Sequence, residues 1–408
     1  MDIKDFFDNE LKIKESYQLP DALLNVLLSD RKNELLSKYI DLGLNTDVDI
    51  FNAYFEQRHS DRKNLMQDFT PSSITGLISK LEKYNESILD VCAGVGGLSK
   101  NLKSEITYLE EISTRAIPLL LFSLSIKNEN AIVKNGDVLT GEYSKIYKLT
   151  KGERFSDIEV VESVEDIKFD LIVSNPPYSQ KWEPRDVIDI SRYMEYETAP
   201  RSKADWAFVI GQLNRLKEDG KMFFILPHGV LFRGGAEEKI RKKMIQNNLI
   251  DMVISLPPKM FANTDIPTVL LVFKKNRKSE QILFINAEKE FIEQNKRNVF
   301  SENNLNKILS TINNKLEVKR FSYLASLEEV IENECNLNVT RYVDTYVPEP
   351  LPNLIEILNS IFDQNDEIKK TERAFFKMVF DLYGTTESKD KELLEAKKII
   401  KERYGEIE

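Results

Sequence analysis

Cysteine and histidine are scarce in this 408-residue chain: Cys92 and Cys335 are its two cysteines, His59 and His228 its two histidines. Two thiols are too few for a disulfide framework or a thiolate cluster, and two imidazoles are too few for a histidine-rich zinc site. No metal centre is expected, and chemistry that avoids metals and thiols is favoured. Long hydrophobic runs are also missing; the most apolar window, Ala116 to Leu124, is too short to span a bilayer and reads as a buried helix. The stretch from Met1 to Glu10 carries acidic residues and no basic-then-apolar targeting pattern, which points to a cytoplasmic protein. An excess of positive charge is absent too, because 57 Lys and Arg face 67 Asp and Glu for a formal charge of −10. Duplex DNA is gripped by cations that release condensed counterions, so a nucleic-acid enzyme of this balance must gather its basic residues on one face or borrow the grip from a partner.

What is present describes a folded α/β chain, with 41% hydrophobic and 30% charged residues. Residues 1–64 carry amphipathic helical patterns, first Leu23, Leu24, Leu27 and Leu28, then Leu35, Leu36, Tyr39 and Ile40. Over residues 65–287 the pattern becomes short apolar runs separated by helical stretches. Candidate strands are Ile88 to Val91, Ile106 to Leu109, Ala131 to Val133, Phe169 to Val173, Met222 to Leu226, Met252 to Leu256 and Val269 to Phe273. This alternation predicts a mostly parallel sheet covered on both faces. The polar stretch from Gly141 to Lys168 reads as a surface insertion. Residues 288–345 form an extension, and residues 346–408 a charged helical tail whose apolar stripe, Leu351, Leu354, Ile357, Leu358 and Ile361, is expected to pack within the chain, with a subunit contact as the other use.

Three motifs carry chemistry. The first, Asp90-Val91-Cys92-Ala93-Gly94-Val95-Gly96-Gly97, follows a strand and is expected to open a helix; its glycines let backbone approach a ligand beside the helix's positive end. The second is an acid at the end of the next strand, Glu110-Glu111-Ile112, about 20 residues on, where a carboxylate can accept both ribose hydroxyls of an adenosine-containing cofactor. Glu111 is preferred over Glu110 because Ile112 then walls the adenine ring, and Asp137 after the third strand can accept from the adenine amine. The third, Ser174-Asn175-Pro176-Pro177-Tyr178, ends an apolar strand. Its two prolines fix the chain direction, so that the Asn175 side chain and the Pro176 carbonyl can hold an exocyclic amine by both hydrogens. Tyr178 can stack on a base turned out of the duplex.

With these residues in view the chain resembles the amino-methyltransferases that carry an Asn-Pro-Pro-Tyr signature, and more narrowly the modification subunits of type I restriction-modification systems. The narrower likeness rests on Arg201-Ser202-Lys203-Ala204-Asp205-Trp206-Ala207-Phe208, on Leu226 to Gly234, on Leu256 to Phe261 with Thr264 to Thr268, and on Asn336 to Val343. It implies a Rossmann-like, seven-stranded methyltransferase sheet with an antiparallel last strand, a short helical N-terminal segment and a helical C-terminal tail. It also implies S-adenosyl-L-methionine over the glycine turn, with Phe69, Thr70, Pro71, Asp90, Ala93, Gly94, Gly96, Glu111, Ile112 and Asp137 as cofactor contacts. Asn175, Pro176, Pro177 and Tyr178 would be catalytic, and Phe261 a second aromatic against the flipped base. The implied reaction is methyl transfer to N6 of adenine in duplex DNA. The implied partners are a specificity subunit and a restriction subunit, with two copies of this chain per assembly. His228 is read as structural, since the amine's proton can leave to solvent. Two departures stand out: Val91-Cys92-Ala93-Gly94-Val95-Gly96-Gly97 lacks the threonine usual in the family's glycine turn, and the N-terminal segment is short.

The four-residue elbow can equally hold a cytosine amine, an RNA base or a glutamine amide, and a catalytically idle architectural subunit would keep the same fold. A nicotinamide dehydrogenase fits worst, because the elbow serves no hydride chemistry.

Overall fold

The seven apolar runs become strands, and further strands flank them. In chain order the strands are β1 (Asn85–Val91), β2 (Ser104–Glu111), β3 (Ala131–Asp137), β4 (Glu142–Thr150), β5 (Asp157–Val161), β6 (Phe169–Ser174), β7 (Leu216–Pro227), β8 (Ile250–Ser255), β9 (Thr268–Lys274), β10 (Gln281–Asn286), β11 (Ile292–Gln294), β12 (Arg297–Val299) and β13 (Ser322–Ser326). The α-helices are α1 (Ile3–Leu11), α2 (Leu19–Leu27), α3 (Lys32–Asp41), α4 (Val48–Arg58), α5 (Ser72–Leu81), α6 (Ile117–Lys127), α7 (Asp205–Leu213), α8 (Ala236–Gln246), α9 (Glu302–Asn314), α10 (Leu327–Glu332), α11 (Leu354–Asp381) and α12 (Glu387–Tyr404). The computed structural model describes residues 2–58, 70–193, 195–261, 266–294, 296–346 and 353–405. Phe69, His59 and Thr264 lie outside them.

The main sheet has 11 strands in the order β13-β10-β8-β9-β7-β6-β1-β2-β3-β4-β5. The expected seven are its centre, with β9 antiparallel to both β7 and β8. The expectation of seven strands in all is corrected at both edges. On one side the stretch read as a surface insertion folds into β4, antiparallel to β3, and β5, antiparallel to β4. Antiparallel strands can keep one face in water, so their composition stays polar; β4, between β3 and β5, buries little beyond Tyr147 and Leu149, and β5 forms the edge. On the other side β10 runs parallel to β8 and β13 antiparallel to β10.

Central strands are apolar along their length because helices cover both faces. Leu171, Ile172 and Val173 of β6 and Phe223, Phe224 and Ile225 of β7 are fully buried. Helix α6 is buried from Ile117 to Ser125, as its sequence predicts. The N-terminal helices close over it through aromatic edges, with ring centroids 5.2 Å apart for Phe7 and Phe122 and 5.7 Å for Phe51 and Phe122. This packing brings α4 to the glycine turn, where Lys100 bridges Asp47 at 3.4 Å and Asp49 at 2.5 Å.

Beneath β2 the guanidinium of Arg215 forms a two-pronged pair with Glu110, at 2.7 and 3.0 Å, and both side chains are nearly sealed from water. Removing one member of such a pair strands a buried charge, which costs about 3–5 kcal/mol. Arg215→Ala is expected to lower the unfolding free energy by about that much, read from urea midpoints at constant m-value.

Contacts divide the chain into Met1–Thr345 and Tyr346–Glu408. In the second unit α11 and α12 meet through Phe376 and Tyr404, with centroids 4.7 Å apart. Neither helix buries a single residue. Within this unit Leu354, Ile357, Leu358 and Ile361 of the expected stripe are between 40% and 70% exposed; Leu351 lies outside the described residues. Among the described residues no helix is long and apolar enough to cross a membrane.

Candidate active site

The sheet order turns outward in both directions from β1, through β2 and β3 on one side and through β6 and β7 on the other. Connections leave the carboxyl ends of β1 and β6 to opposite sides, and the crevice between them is where open parallel sheets hold ligands. A cavity opens there, lined by residues that include Thr70, Ala93, Gly94, Glu111, Ile112, Asp137 and the whole elbow Asn175–Tyr178. The register puts Asp90 opposite Leu109 on β2 and Val173 on β6, so the three motifs end at one level.

The glycine turn leaves β1 with Cys92, Gly94 and Gly96 in the left-handed region, at φ of 61°, 59° and 86°. A Cβ at Gly96 would lie 3.0 Å from the Leu120 side chain, so α6 comes in close below the turn. The expected helix does not follow; residues 94–101 form successive turns. Three glycines in this stretch, two of them with positive φ where a helix would begin, disfavour helical propagation. The turn therefore offers backbone N–H groups without an aligned helix behind them.

One of those N–H groups is already engaged. Gly94 N donates to Glu111 Oε2 at 2.7 Å, Ser113 N donates to Oε1 at 2.7 Å, and Asn135 Nδ2 donates to the Glu111 carbonyl at 2.8 Å. These bonds fix the Glu111 carboxylate at the cavity wall, while the neighbouring Glu110 is committed to Arg215. Ile112, 43% exposed, stands at the cavity wall beyond it. Asp137 lines the cavity and accepts from Leu139 N at 2.9 Å, so it also serves as a turn residue.

Asp90 sits beneath the turn, not on the cavity wall. It is 1% exposed; Oδ2 accepts from Ser99 N at 3.2 Å, and Oδ1 has no hydrogen-bond partner. Burial pushes its carboxyl up to about 7, against the Ser99 hydrogen bonds and with added repulsion from Glu111. The folded state thus holds a proton that the unfolded chain releases near pH 4, and stability falls as pH rises from about 4 to about 7. Asp90→Asn is expected to remove this slope: between pH 5 and 8 the wild type should lose on the order of 2–3 kcal/mol more than the variant in urea unfolding.

The elbow is braced from both sides. Asn175 Nδ2 donates to Thr70 Oγ1 at 3.1 Å, and the Tyr178 hydroxyl donates to Asn175 Oδ1 at 2.8 Å. Ser174 Oγ donates to the Val91 carbonyl at 2.7 Å, tying β6 to β1 at the cavity floor. Phe261 does not line the cavity, but its ring meets Tyr178 edge-on at 6.1 Å. Pro71 caps α5 and, like Gly96, is set back from the wall. His228 donates to or accepts from Ser255 Oγ at 3.1 Å, and burial pulls its pKa down, favouring the neutral ring.

Lining residues that the sequence did not mark as site residues include Asn52 of α4, Gln180 and Phe208 of α7. Asn52 is 7% exposed with its amide oxygen unpaired, and a Cβ on Gly97 would lie 2.7 Å from its Nδ2. Nothing local marks it, since only the folding of α4 onto the glycine turn brings it there. Gln180 could have been found by its place two residues after Tyr178.

The fold is that of the S-adenosylmethionine-dependent methyltransferases, shared over 98% of this chain with the EcoKI M protein at 15% identity and TM-score 0.52, where it covers 89% of that chain. The N-6 DNA methylase family matches residues 49–349, and the chain belongs to it. Its relatives are methylase subunits of type I restriction enzymes. The MpnII methylase subunit of Mycoplasma pneumoniae is 28% identical over 397 residues, covering 92% of this chain and 70% of the relative. The MjaVII methylase subunit of Methanocaldococcus jannaschii is 31% identical over 300 residues, 67% of this chain and 49% of the relative. A solved type I methyltransferase subunit from Streptococcus thermophilus is 32% identical with TM-score 0.58, covering 68% of this chain and 59% of that one. The chain thus spans between about half and 70% of the length of these relatives.

Proposed function

We propose that the chain transfers a methyl group from S-adenosylmethionine to N6 of adenine in duplex DNA, as the modification subunit of a type I assembly. The observation that carries this reading is the single cavity wall shared by the Glu111 carboxylate, the glycine turn and the Asn175–Tyr178 elbow. The cavity suits the cofactor: the fixed Glu111 carboxylate can accept from the ribose hydroxyls, and Asp137 from the adenine amine. Ile112 flanks the adenine ring, and Ala93, Gly94 and Gly96 let backbone come close. Thr70 serves the methionine end from the cavity wall, and Asp90 serves it from beneath the turn, through Ser99 N and the backbone that the turn presents. Phe69 is a further cofactor contact, and Pro71 holds Thr70 against the cavity by capping α5. When bound, the cofactor supplies an electrophilic methyl on a sulfonium.

The protein's own share of the chemistry is orientation. Asn175 Oδ1 and the Pro176 carbonyl accept the two hydrogens of the amine, turning the nitrogen lone pair out of conjugation and toward the methyl carbon. Pro177 holds the Pro176 carbonyl in direction by fixing the chain that follows. The Tyr178 hydroxyl orients the Asn175 amide, whose oxygen has two lone pairs and can serve both partners. Tyr178 and Phe261 receive the extruded base, and the amine's proton leaves to solvent after attack.

The net charge of −10 fits delegated recognition, in which a specificity subunit reads the sequence and supplies part of the grip. The exposed apolar faces of α11 and α12 suit a contact with such a subunit. Two copies of this chain would serve the two DNA strands, a restriction subunit would join them, and the assembly would act in the cytoplasm. The test is to incubate the chain, with and without the specificity subunit, with methyl-labelled cofactor and host DNA, then digest to nucleosides. Label in N6-methyl-2′-deoxyadenosine is expected; label in a methylated deoxycytidine, in RNA or in protein overturns the assignment.

A further inference from the structure

The elbow ends on a backbone that ordinary residues avoid. Ser179, immediately after Tyr178, has φ of 53°. A non-glycine residue in the left-handed region costs on the order of 1–3 kcal/mol and persists when its surroundings over-determine it. Here a buried side chain engages the backbone N–H of the strained residue directly. Ser179 N donates to Asp205 Oδ1 at 2.7 Å, and Asp205 opens α7 with a side chain wholly shut away from solvent.

Asp205 does not act alone. Its other oxygen, Oδ2, accepts from Arg233 Nη1 at 2.9 Å, and the same Nη1 reaches Glu237 Oε1 at 3.2 Å. Arg233 belongs to the loop between β7 and α8. That loop is itself pinned by Arg241, buried on α8, which donates to the Arg233 carbonyl at 2.7 Å and to the Val230 carbonyl at 3.2 Å. On the near side Ala204 N donates to the Gln180 carbonyl at 2.8 Å, closing the base of the 180–204 excursion beside the cavity. A buried carboxylate with one oxygen on a strained backbone N–H and the other on an arginine from a separate loop is more than a helix-capping feature. An N-terminal acid serving its own helix would bond the first turn of α7, whereas these bonds reach outward to the elbow and to the β7–α8 loop.

We infer that Asp205 is a positioning residue for methyl transfer, holding Ser179 in its left-handed turn so that Tyr178 and Asn175 keep the mutual geometry in which they grip the amine, with Arg233 fixing the carboxylate in turn. Asp205 touches neither the base nor the cofactor. This role rests on the proposed function above, and it makes a separate claim: the effect falls on turnover, not on cofactor binding. The Glu111 side of the cavity has its own hydrogen bonds and does not depend on Asp205.

The test uses the full chain with its specificity subunit, steady-state methyl transfer to DNA, and calorimetric binding of S-adenosylmethionine. Asp205→Ala leaves the Ser179 N–H without its acceptor and is expected to lower kcat by about 10- to 100-fold, the range for losing a hydrogen bond to a charged group. Cofactor affinity should stay within about twofold. Asp205→Asn keeps an acceptor for Ser179 and should recover most of the loss. Ser179→Gly in the Asp205→Ala background should raise kcat at least about threefold, because glycine enters the left-handed region without the Cβ penalty. A gain from Ser179→Gly is something a merely structural role would not give. Unchanged turnover in Asp205→Ala, or a parallel fall of kcat, cofactor affinity and melting temperature with no gain from Ser179→Gly, overturns the inference. A wild-type assembly that binds cofactor yet methylates no DNA overturns the function itself, and this role with it.

Discussion

Asn175→Ala should abolish most methyl transfer while leaving cofactor binding intact. The proposed grip on the amine uses two acceptors, the Asn175 side chain and the Pro176 carbonyl, and only the first is lost in this variant. Removing one oriented hydrogen-bonding group from a site that stabilises a transition state typically costs about 100- to 1,000-fold in kcat. The Pro176 carbonyl would still hold one hydrogen, so activity falls without vanishing. Because Asn175 also donates to Thr70 Oγ1 at 3.1 Å, some loosening of residue 70 is expected, and a small rise in the cofactor Kd would come from that. A fall in kcat with a Kd change below about threefold supports the role in amine orientation. Full activity in this variant removes Asn175 from the chemistry.

Glu111→Ala should show the opposite signature. Its carboxylate accepts from Gly94 N and Ser113 N, both at 2.7 Å, so it holds the first glycine of the turn in place even before any ligand enters. A bound ribose would add two hydrogen bonds to the same charged group, each worth about 1.5–3 kcal/mol. Losing them should weaken S-adenosylmethionine binding by about 100-fold or more, read by calorimetry. At saturating cofactor, turnover should fall far less than in Asn175→Ala. Equal losses of kcat in both variants would mean that Glu111 serves the elbow and not the cofactor.

How much of this was legible before the structure depends on where each residue's partners lie. The seven central strands were legible because both of their faces are covered, which turns a strand into an uninterrupted apolar run such as Leu171 to Val173. β4 was not, since an antiparallel strand that leaves one face to water carries no continuous apolar run, and its sequence, Glu142 to Thr150, alternates weakly. One signal was available: a Cβ at Gly136 would lie 2.0 Å from the Glu142 carbonyl oxygen, so that glycine marks the irregularity where β4 folds back on β3. β10 was also within reach, because Ile282 to Ile285 is an apolar run like the others. The motif residues at the cavity are legible for a physical reason: each ends a strand, and parallel strands in register bring their ends together. Asn52 and Asp205 are a different kind of residue. Their roles depend on α4 and α7 packing against a turn far away in sequence, and no local pattern encodes that contact.

The most direct test of the account is a crystal structure of the chain with S-adenosylhomocysteine. The ribose hydroxyls are expected on the Glu111 carboxylate and the thioether sulfur facing the Asn175 side chain, across the crevice between β1 and β6. A nucleoside bound at another place, or bound here with its sulfur turned away from Asn175, would contradict it.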